Sequence, residues 1–204
     1  MSVNTQKAAL RKHLLEKRDA TSAELREISS EKIHQNLKKI SEYTNSQNIA
    51  CYFPIGSEIN TCDIMLDILG QNKNLLLPRI VNDNLQFCIV SNLEKLEKGN
   101  FEIMEPKDSC KKAEKIDCVL IPTVGVSKSG VRLGYGKGYY DRFLSLIDAV
   151  KISLTYSKQI VKSIPNDSHD VKIDWIVTED ENVKISWENK YLRTDIGKKG
   201  LSHL

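Results

Sequence analysis

The segment at residues 130–141 reads GVRLGYGKGYYD, and it combines four glycines with one arginine, one lysine, three tyrosines and one aspartate. Glycine lets the backbone reach positive φ angles and approach a ligand closely. Successive free amides in such a loop form a concave anion site. The cations oppose anionic charge, the tyrosines offer flat faces to a ring, and an aspartate is a suitable ligand for Mg²⁺. This glycine segment therefore predicts a loop that binds a polyphosphate and an aromatic substrate.

Two known phosphate motifs are similar to the glycine segment, but neither matches it. A Walker A loop requires its first glycine where Val131 stands, and a dinucleotide fingerprint requires its third glycine where Tyr139 stands. The alternative interpretation is a tight turn that leads into a helix. Because turns seldom combine so many glycines with Arg132, Lys137 and Asp141, we favour a ligand-binding loop.

Apolar strands alternate with amphipathic helices along the chain, and this alternation is typical of an α/β fold. We expect an open, mostly parallel, twisted sheet flanked by helices in a Rossmann-like three-layer arrangement. One domain is expected at residues 1–189, followed by a basic tail at 190–204. The predicted strands lie at residues 48–53, 75–77, 85–90, 117–122, 151–156, 173–178 and 183–187, and the predicted helices at 5–18, 63–69, 93–96 and 139–147.

A further helix is predicted from a capping box formed by Thr21 and Glu24. Its apolar stripe is expected to consist of Leu25, Ile28, Ile33, Leu37 and Ile40. Residues 82–84 are a predicted turn, and residues 99–112 are a predicted loop.

Two of the predicted strands lead directly into candidate ligand loops. The strand at 117–122 is expected to feed straight into the glycine segment, and residues 53–58 follow the strand at 48–53. In open α/β sheets, ligands bind outside the carboxyl ends of the strands. We therefore expect both loops to line one crevice.

The composition excludes several classes of protein. Apolar residues make up 40% of the 204-residue chain and charged residues 28%, which is ordinary for a globular domain. No apolar run is long enough to span a membrane, and the first residues lack a secretory signal. The five cysteines are scattered and odd in number, which indicates a reducing compartment. We expect a cytoplasmic monomer without a membrane partner.

The net charge of +3 does not indicate a nucleic-acid-binding protein. Residues 190–204 contain four cations and one carboxylate, so the tail accounts for all of the excess charge. A nucleic-acid-binding protein usually shows a broad basic face. We therefore expect no nucleic-acid partner.

Charged side chains near the start and after the first strand are candidate ligand contacts. Lys7 and Arg11 share one helix face, where they could hold an anion or simply form a solvated basic surface. Glu58 could accept paired hydrogen bonds from an amino-heterocycle, or it could be an exposed loop residue. The sequence alone favours the solvated basic surface for Lys7 and Arg11, and it leaves both alternatives open for Glu58.

Asp141 is the main candidate ligand for a metal ion, since Mg²⁺ needs only one or two carboxylates beside phosphate oxygens. Asp170 and Asp174 are candidates for a second ligand, although each is also a plausible turn residue. The alternative for Asp141 is helix capping or a salt bridge to Arg142 or Lys137.

A set of short motifs, taken together, resembles the 5-formyltetrahydrofolate cyclo-ligase family, whose members are also called methenyltetrahydrofolate synthetases. The motifs occur in the family's order and span residues 7–180. They are KAALR at 7–11, EINT at 58–61, LPR at 77–79, EP at 105–106, RLGYGKGYYD at 132–141 and DVKID at 170–174.

The resemblance implies an ATP-dependent ring closure of 5-formyltetrahydrofolate to 5,10-methenyltetrahydrofolate, with ATP as co-substrate, a reduced folate as substrate and Mg²⁺ as cofactor. It also implies roles for individual residues. Arg132 and Lys137 would be catalytic, and Asp141 and Asp170 would hold Mg²⁺. ATP would be bound by Lys7, Arg11, Arg132, Leu133, Gly134, Tyr135, Gly136, Lys137, Gly138, Tyr139 and Tyr140. The folate would be bound by Phe53, Glu58, Tyr135, Gly136, Lys137, Gly138 and Tyr139.

One stretch departs from the family's pattern. The residues before the glycine segment usually include an aromatic residue followed by an aspartate, and Val126 and Ser127 stand at these positions here. If either position shapes the folate pocket, affinity or substrate choice would change. The alternative functions are another ATP-dependent kinase or ligase that acts on a different ring, and a non-catalytic nucleotide-binding or RNA-associated domain.

Overall fold

A seven-stranded sheet forms the centre of the protein, in a computed structural model that describes residues 2–99, 103–166 and 170–186. Across the sheet, the strands follow the order β12 (Asn182–Lys184), β11 (Trp175–Val177), β9 (Val150–Leu154), β6 (Cys118–Pro122), β1 (Asn48–Ala50), β2 (Asn74–Val81) and β3 (Asn84–Val90). The five inner strands are parallel, and β12 and β3 are antiparallel edge strands. This confirms the open, mostly parallel sheet expected from the alternating pattern. The predicted tail at 190–204 lies outside the described residues.

The helices and strands have the following bounds. The helices are α1 (Val3–Asp19), α2 (Ala23–Leu37), α3 (Ser41–Thr44), α4 (Cys62–Gly70) and α5 (Tyr139–Leu144), with 3₁₀ turns at Leu93–Lys95 and Ser157–Gln159. The strands of the main sheet are β1 (Asn48–Ala50), β2 (Asn74–Val81), β3 (Asn84–Val90), β6 (Cys118–Pro122), β9 (Val150–Leu154), β11 (Trp175–Val177) and β12 (Asn182–Lys184). The smaller sheets contain β4 (Leu96–Lys98), β5 (Met104–Pro106), β7 (Gly125–Ser127), β8 (Arg132–Leu133) and β10 (Ile160–Val161).

Both faces of the central strands are buried, because successive side chains point to opposite faces. On β6, Cys118 and Leu120 belong to the core shared with α2, α3 and α4, whereas Val119 and Ile121 belong to the core shared with α5. Helices therefore cover the sheet on both sides, as expected for three layers. Among the described residues, no helix combines the length and the apolarity needed to cross a bilayer.

Helix α2 differs from the expectation at its start and along its stripe. The residue that caps it is Ser22, whose hydroxyl accepts from the Leu25 amide, and not Thr21. Leu25 and Ile28 are 56% and 43% exposed, so the stripe is buried only in the second half of the helix. The helix ends at Leu37, and the chain turns there into α3.

Two short strand pairs occur where the sequence indicated loops. The expectation that β6 feeds straight into the glycine segment was wrong, because β7 lies between them and pairs antiparallel with β8 inside the segment. Arg132 and Leu133 are therefore strand residues. In the predicted loop at 99–112, β5 pairs with β4. Strands of two or three residues are too short to produce a detectable alternating pattern.

The carboxyl ends of β1 and β6 lie side by side, because these strands are adjacent and parallel. From β1 the chain continues to β2 on one side of the sheet, and from β6 it continues to β9 on the other side. This is a topological switch point, where open α/β sheets bind ligands. Residues 53–58 and the glycine segment both follow strands at this point, as expected.

The glycine segment has a backbone that only glycine adopts readily at three of its positions, Gly130, Gly136 and Gly138. Gly136 has φ of 99°, and Gly138 has φ of 70° where it caps the start of α5. A Cβ atom at Gly136 would also lie 3.2 Å from the Arg11 guanidinium carbon. The loop conformation therefore depends on these glycines.

We predict that Leu37→Ala lowers the free energy of unfolding by about 2–5 kcal/mol, because it removes a fully buried side chain. Leu25→Ala on the same helix is the matched control, and it should change stability by less than about 0.5 kcal/mol, since Leu25 is exposed. Urea unfolding measures both. Equal losses would contradict the assigned orientation of α2.

We predict opposite effects for two glycine substitutions. Gly136→Ala should destabilise the protein by about 1–3 kcal/mol, since an alanine is strained at this φ. Gly70→Ala should be neutral or stabilising by up to about 1 kcal/mol, because it lies in α4 with open space around it. Thermal unfolding compares them, and a tolerated alanine at Gly136 would refute the required backbone shape.

Candidate active site

A cleft of about 710 Å³ opens at the switch point of the sheet. It is lined by side chains from α1, the ends of β1, β2 and β6, and the glycine segment. Every residue to which the family resemblance gives a role lines this cleft. These residues are Lys7, Arg11, Phe53, Glu58, the run 132–141 and Asp170.

One end of the cleft carries cations from α1. Arg11 Nε donates to the carbonyl oxygen of Gly134 at 2.7 Å, and burial lowers the pKa of this guanidinium. Lys7 Nζ lies 2.8 and 2.6 Å from the two carboxylate oxygens of Asp170. Lys7 and Arg11 are therefore not part of a solvated basic surface. Lys12 on the same helix is solvated, since its side chain is 80% exposed.

Asp141 forms its ion pair with Arg132, and not with Arg142 or Lys137 as the alternative interpretation expected. Arg132 Nη2 lies 3.0 Å from both carboxylate oxygens of Asp141. Arg132 is 5% exposed, and within the described part of the chain its Nε has no hydrogen-bond partner. Arg142 instead donates to the carbonyl oxygen of Lys137 at 3.0 Å. Arg132 thus reaches the cleft from β8 as a buried, partly unsatisfied donor.

The second half of the glycine segment is anchored to the turn between β2 and β3. Asn82 and Asp83 form this turn with positive φ angles of 48° and 59°. The Tyr139 hydroxyl donates to Asp83 Oδ1 at 2.7 Å, and Arg142 Nη2 donates to the Asp83 carbonyl oxygen at 3.2 Å. The edge of the sheet therefore helps to fix the loop.

Glu58 is buried, so the alternative of an exposed loop glutamate is wrong. Its side chain closes the turn after β1 by accepting from the Ile55 amide at 2.8 Å. Burial raises the pKa of the Glu58 carboxyl, and interactions with the Tyr135 hydroxyl, the Ile55 amide and Arg18 act in the opposite direction. The carboxylate faces the cleft beside Tyr135 and can accept hydrogen bonds from a ligand.

The two carboxylates predicted for a metal ion both line the cleft, and each is held by a cation. Across the described ranges, no group of three or more His, Cys, Asp or Glu side chains is positioned to hold a metal ion. Asp141 and Asp170 alone fit Mg²⁺ only if phosphate oxygens complete its shell, which is a common arrangement. Asp174 is absent from the cleft lining and accepts from the Lys151 amide at 2.9 Å in the sheet.

Several residues of the cleft were given no role by the sequence. An apolar end is formed by Pro78, Ile80, Leu85, Ile103 and Met104, and it also contains Arg79 and Glu105. Pro78, Arg79 and Glu105 belong to motifs of the family resemblance, which was the available signal. Burial is the largest cause of a raised pKa at Glu105, and Arg79 is paired with Asp108.

The two positions that depart from the family's pattern do not line the cleft. Val126 is fully buried in the core beneath the sheet, where it faces Arg132 across the β7–β8 pair. The Ser127 hydroxyl bonds to that of Ser129 at 2.8 Å within the following turn. A direct effect of these two side chains on the folate pocket is therefore not supported.

The chain matches the model of the 5-formyltetrahydrofolate cyclo-ligase family over residues 3–179. The 5-formyltetrahydrofolate cyclo-ligase of Mus musculus is 30% identical over 196 residues, which covers 88% of this chain and 97% of that protein. The cyclo-ligase of Mycoplasma genitalium is 35% identical over 179 residues, which covers 84% of this chain and 96% of that protein.

Solved structures show the same relationship. The NMR structure of Aquifex aeolicus 5,10-methenyltetrahydrofolate synthetase has a TM-score of 0.79 and 34% identity, and the match covers 92% of this chain and 98% of that one. The 5,10-methenyltetrahydrofolate synthetase from Mycoplasma pneumoniae has a TM-score of 0.70 and 30% identity, with 85% and 98% covered. The motifs, the fold and these matches agree, and the chain belongs to the 5-formyltetrahydrofolate cyclo-ligase family.

Proposed function

We propose that this chain catalyses the ATP-dependent cyclisation of 5-formyltetrahydrofolate to 5,10-methenyltetrahydrofolate, with release of ADP and phosphate. The observation that carries the proposal is the shared cleft, which the glycine segment lines together with Glu58, Lys7 and Arg11. The names of the relatives and the solved structures support the same reaction.

The charges in the cleft suggest where each substrate binds. Lys7, Arg11, Arg132 and Lys137 come from two segments and surround one end, and they suit the triphosphate of ATP. Phe53 and Glu58 lie at the turn after β1, and they suit the pterin ring with its amino group. Tyr135 neighbours Glu58 and belongs to the glycine segment, so it would contact both ligands.

The reaction proceeds in two steps. The N5-formyl oxygen attacks the γ-phosphorus of ATP, the bond to the β-phosphate oxygen breaks, and ADP leaves. N10 then attacks the activated formyl carbon, and the carbon–oxygen bond breaks as N10 loses its proton and inorganic phosphate departs. Arg132 and Lys137 would stabilise the negative charge on the transferring phosphoryl group, since such reactions depend mainly on positioning and electrostatics.

Mg²⁺ remains a proposal that rests on the chemistry of the donors. Asp141 and Asp170 would hold the ion together with phosphate oxygens. When bound, Mg²⁺ would neutralise charge on the β- and γ-phosphates. Arg132 and Lys7, which contact these carboxylates in the structure, would then turn towards phosphate oxygens.

The location and the assembly state are further proposals. We expect a cytoplasmic monomer that binds neither nucleic acid nor membranes, as composition and charge indicate. Location varies within the family, because an Arabidopsis thaliana relative that is 28% identical is named as mitochondrial.

The test of the reaction is direct. Purified protein is mixed with ATP, Mg²⁺ and 5-formyltetrahydrofolate, and the methenyl chromophore and ADP are followed together. Equal amounts of the two products support the proposal. ADP formation without the chromophore would indicate a kinase or ligase for a different ring, and neither product would indicate a non-catalytic nucleotide-binding domain.

We predict that Lys137→Ala lowers kcat/KM by about 10²–10³-fold, because it removes a cation from the transferring phosphoryl group. Lys137 is exposed in the glycine segment, so stability should change by less than about 0.5 kcal/mol. Lys12→Ala, an exposed change on α1, is the control and should retain full activity. A Lys137→Ala rate equal to that of the wild type would remove its assigned role.

We predict that Asp141→Asn raises the Mg²⁺ concentration needed for half-maximal activity several-fold, about the effect of losing one charged ligand. Asp148→Asn, an exposed change just after α5, should leave the metal titration unchanged. If Asp141→Asn also leaves it unchanged, the ion is held elsewhere.

A further inference from the structure

Arg18, in the last turn of α1, is a buried cation that bridges two segments of the site. The residue is 3% exposed. Its Nε donates to Ser57 Oγ at 2.9 Å, and its Nη2 donates to the Tyr135 hydroxyl at 2.7 Å. Its Nη1 has no hydrogen-bond partner in the part of the chain that the structure describes.

These two hydrogen bonds connect two segments that supply residues to the cleft. Ser57 belongs to the turn that carries Glu58, and Tyr135 belongs to the glycine segment. Arg18 does not itself line the cleft, so it acts through these neighbours. Burying a guanidinium is costly and seldom favours stability over an apolar side chain of similar size. A role in positioning would explain why a charged fork, and not an apolar residue, occupies this place.

We propose that Arg18 is a positioning residue that holds the Tyr135 hydroxyl against the Glu58 carboxylate and thereby aligns the folate-binding turn with the ATP-binding loop. This inference rests on the proposed function. The rigid guanidinium fork is suited to such a bridge, because two of its nitrogens point in fixed, different directions. A lysine would provide the charge without the second hydrogen bond.

The surroundings of Glu58 give the bridge an electrostatic consequence. The ionisable groups that interact with this carboxylate are Arg18 from α1, Tyr52 after β1, Tyr135 from the glycine segment and Tyr140 from α5. Arg18 is the only cation in this set. Its charge lowers the pKa of the Glu58 carboxyl against the effect of burial, so its loss should raise that pKa further.

The direction of the pH effect follows from this. Glu58 accepts paired hydrogen bonds through both carboxylate oxygens only when it is ionised. Activity should therefore be present above its pKa and lost as the pH falls through it. Removing Arg18 should therefore move the acidic limb of the kcat/KM profile for the folate to higher pH. Removing the Tyr135 hydroxyl should move it in the same direction.

The experiment measures kcat and KM for both substrates and the pH profile in Arg18→Met, Arg18→Lys, Tyr135→Phe and Arg18→Met/Tyr135→Phe. For Arg18→Met we expect about a tenfold rise in the folate KM, the scale of one charge-assisted hydrogen bond, and a smaller change in the ATP KM. Compared with Arg18→Met, Arg18→Lys should bring the acidic limb of the pH profile back towards the wild-type position. It should bring the folate KM back to a smaller extent. The double variant should be less impaired than the sum of the two single effects.

Lys17→Met is the matched control, since it removes an exposed cation from the same helical turn and should leave every parameter unchanged. The inference would be overturned if Arg18→Met reduced thermal stability but left the folate KM and the acidic limb of the pH profile unchanged. If Arg18→Met fails to fold, the test rests on Arg18→Lys and Tyr135→Phe. Wild-type values of the folate KM and the pH profile in both variants would overturn the inference. An inactive wild-type protein would instead refute the proposed function.

Discussion

The contact between helix α1 and the glycine segment is the constraint on which the site depends. The Arg11 side chain donates to the carbonyl oxygen of Gly134, and Leu14, one turn further along, packs with Val124 and Leu133 in a separate apolar cluster. These partners are more than 100 residues apart in sequence. Without this packing, the cations of α1 would not reach the carboxyl edge of the sheet, and the glycine segment would lose a support along one side.

Three cations of the cleft are held by oxygen atoms in the structure, and this pairing has a functional meaning. Lys7 contacts Asp170, Arg132 contacts Asp141, and Arg11 contacts a backbone carbonyl. Buried positive charge is costly without a partner, so these contacts keep the donors ordered. An entering triphosphate would exchange one set of oxygen atoms for another. The site is therefore preorganised for anions, which reduces the ordering that binding would otherwise require.

The sequence predicted the central sheet well because its strands carry strong local signals. The runs at 75–77 and 118–122 are uniformly apolar, and the structure buries them on both faces, as parallel strands require. The β7–β8 pair was missed because its strands have three and two residues, and tertiary packing under α1 stabilises them. The cap of α2 was placed one residue too early, at Thr21 and not at Ser22. Serine and threonine are both favoured at this position, so local propensity does not distinguish these two residues.

The sequence pointed to residues of the candidate site where the combination of residue types is unusual for an ordinary loop. Clustered glycines with cations and tyrosines indicate a ligand loop by themselves, whereas Lys7 and Arg11 required the family motifs. Arg18 had no such signal, because an arginine on a helix is normally solvated. Its burial results from the approach of Ser57 and Tyr135, which are 39 and 117 residues away in sequence. Only the folded chain reveals such a contact.

The departure from the family's pattern at residues 126–127 lies beside a turn that the backbone closes with its own hydrogen bonds. The Ser127 amide donates to the Val131 carbonyl oxygen, and the Gly130 amide donates to the Ser127 carbonyl oxygen, both at 2.9 Å. These bonds do not require a particular side chain at either position. Val126 lies opposite Arg132 in the register of β7 and β8. Its side chain fills the core behind the strand that carries Arg132, so the departure changes the support of the site and leaves its lining intact.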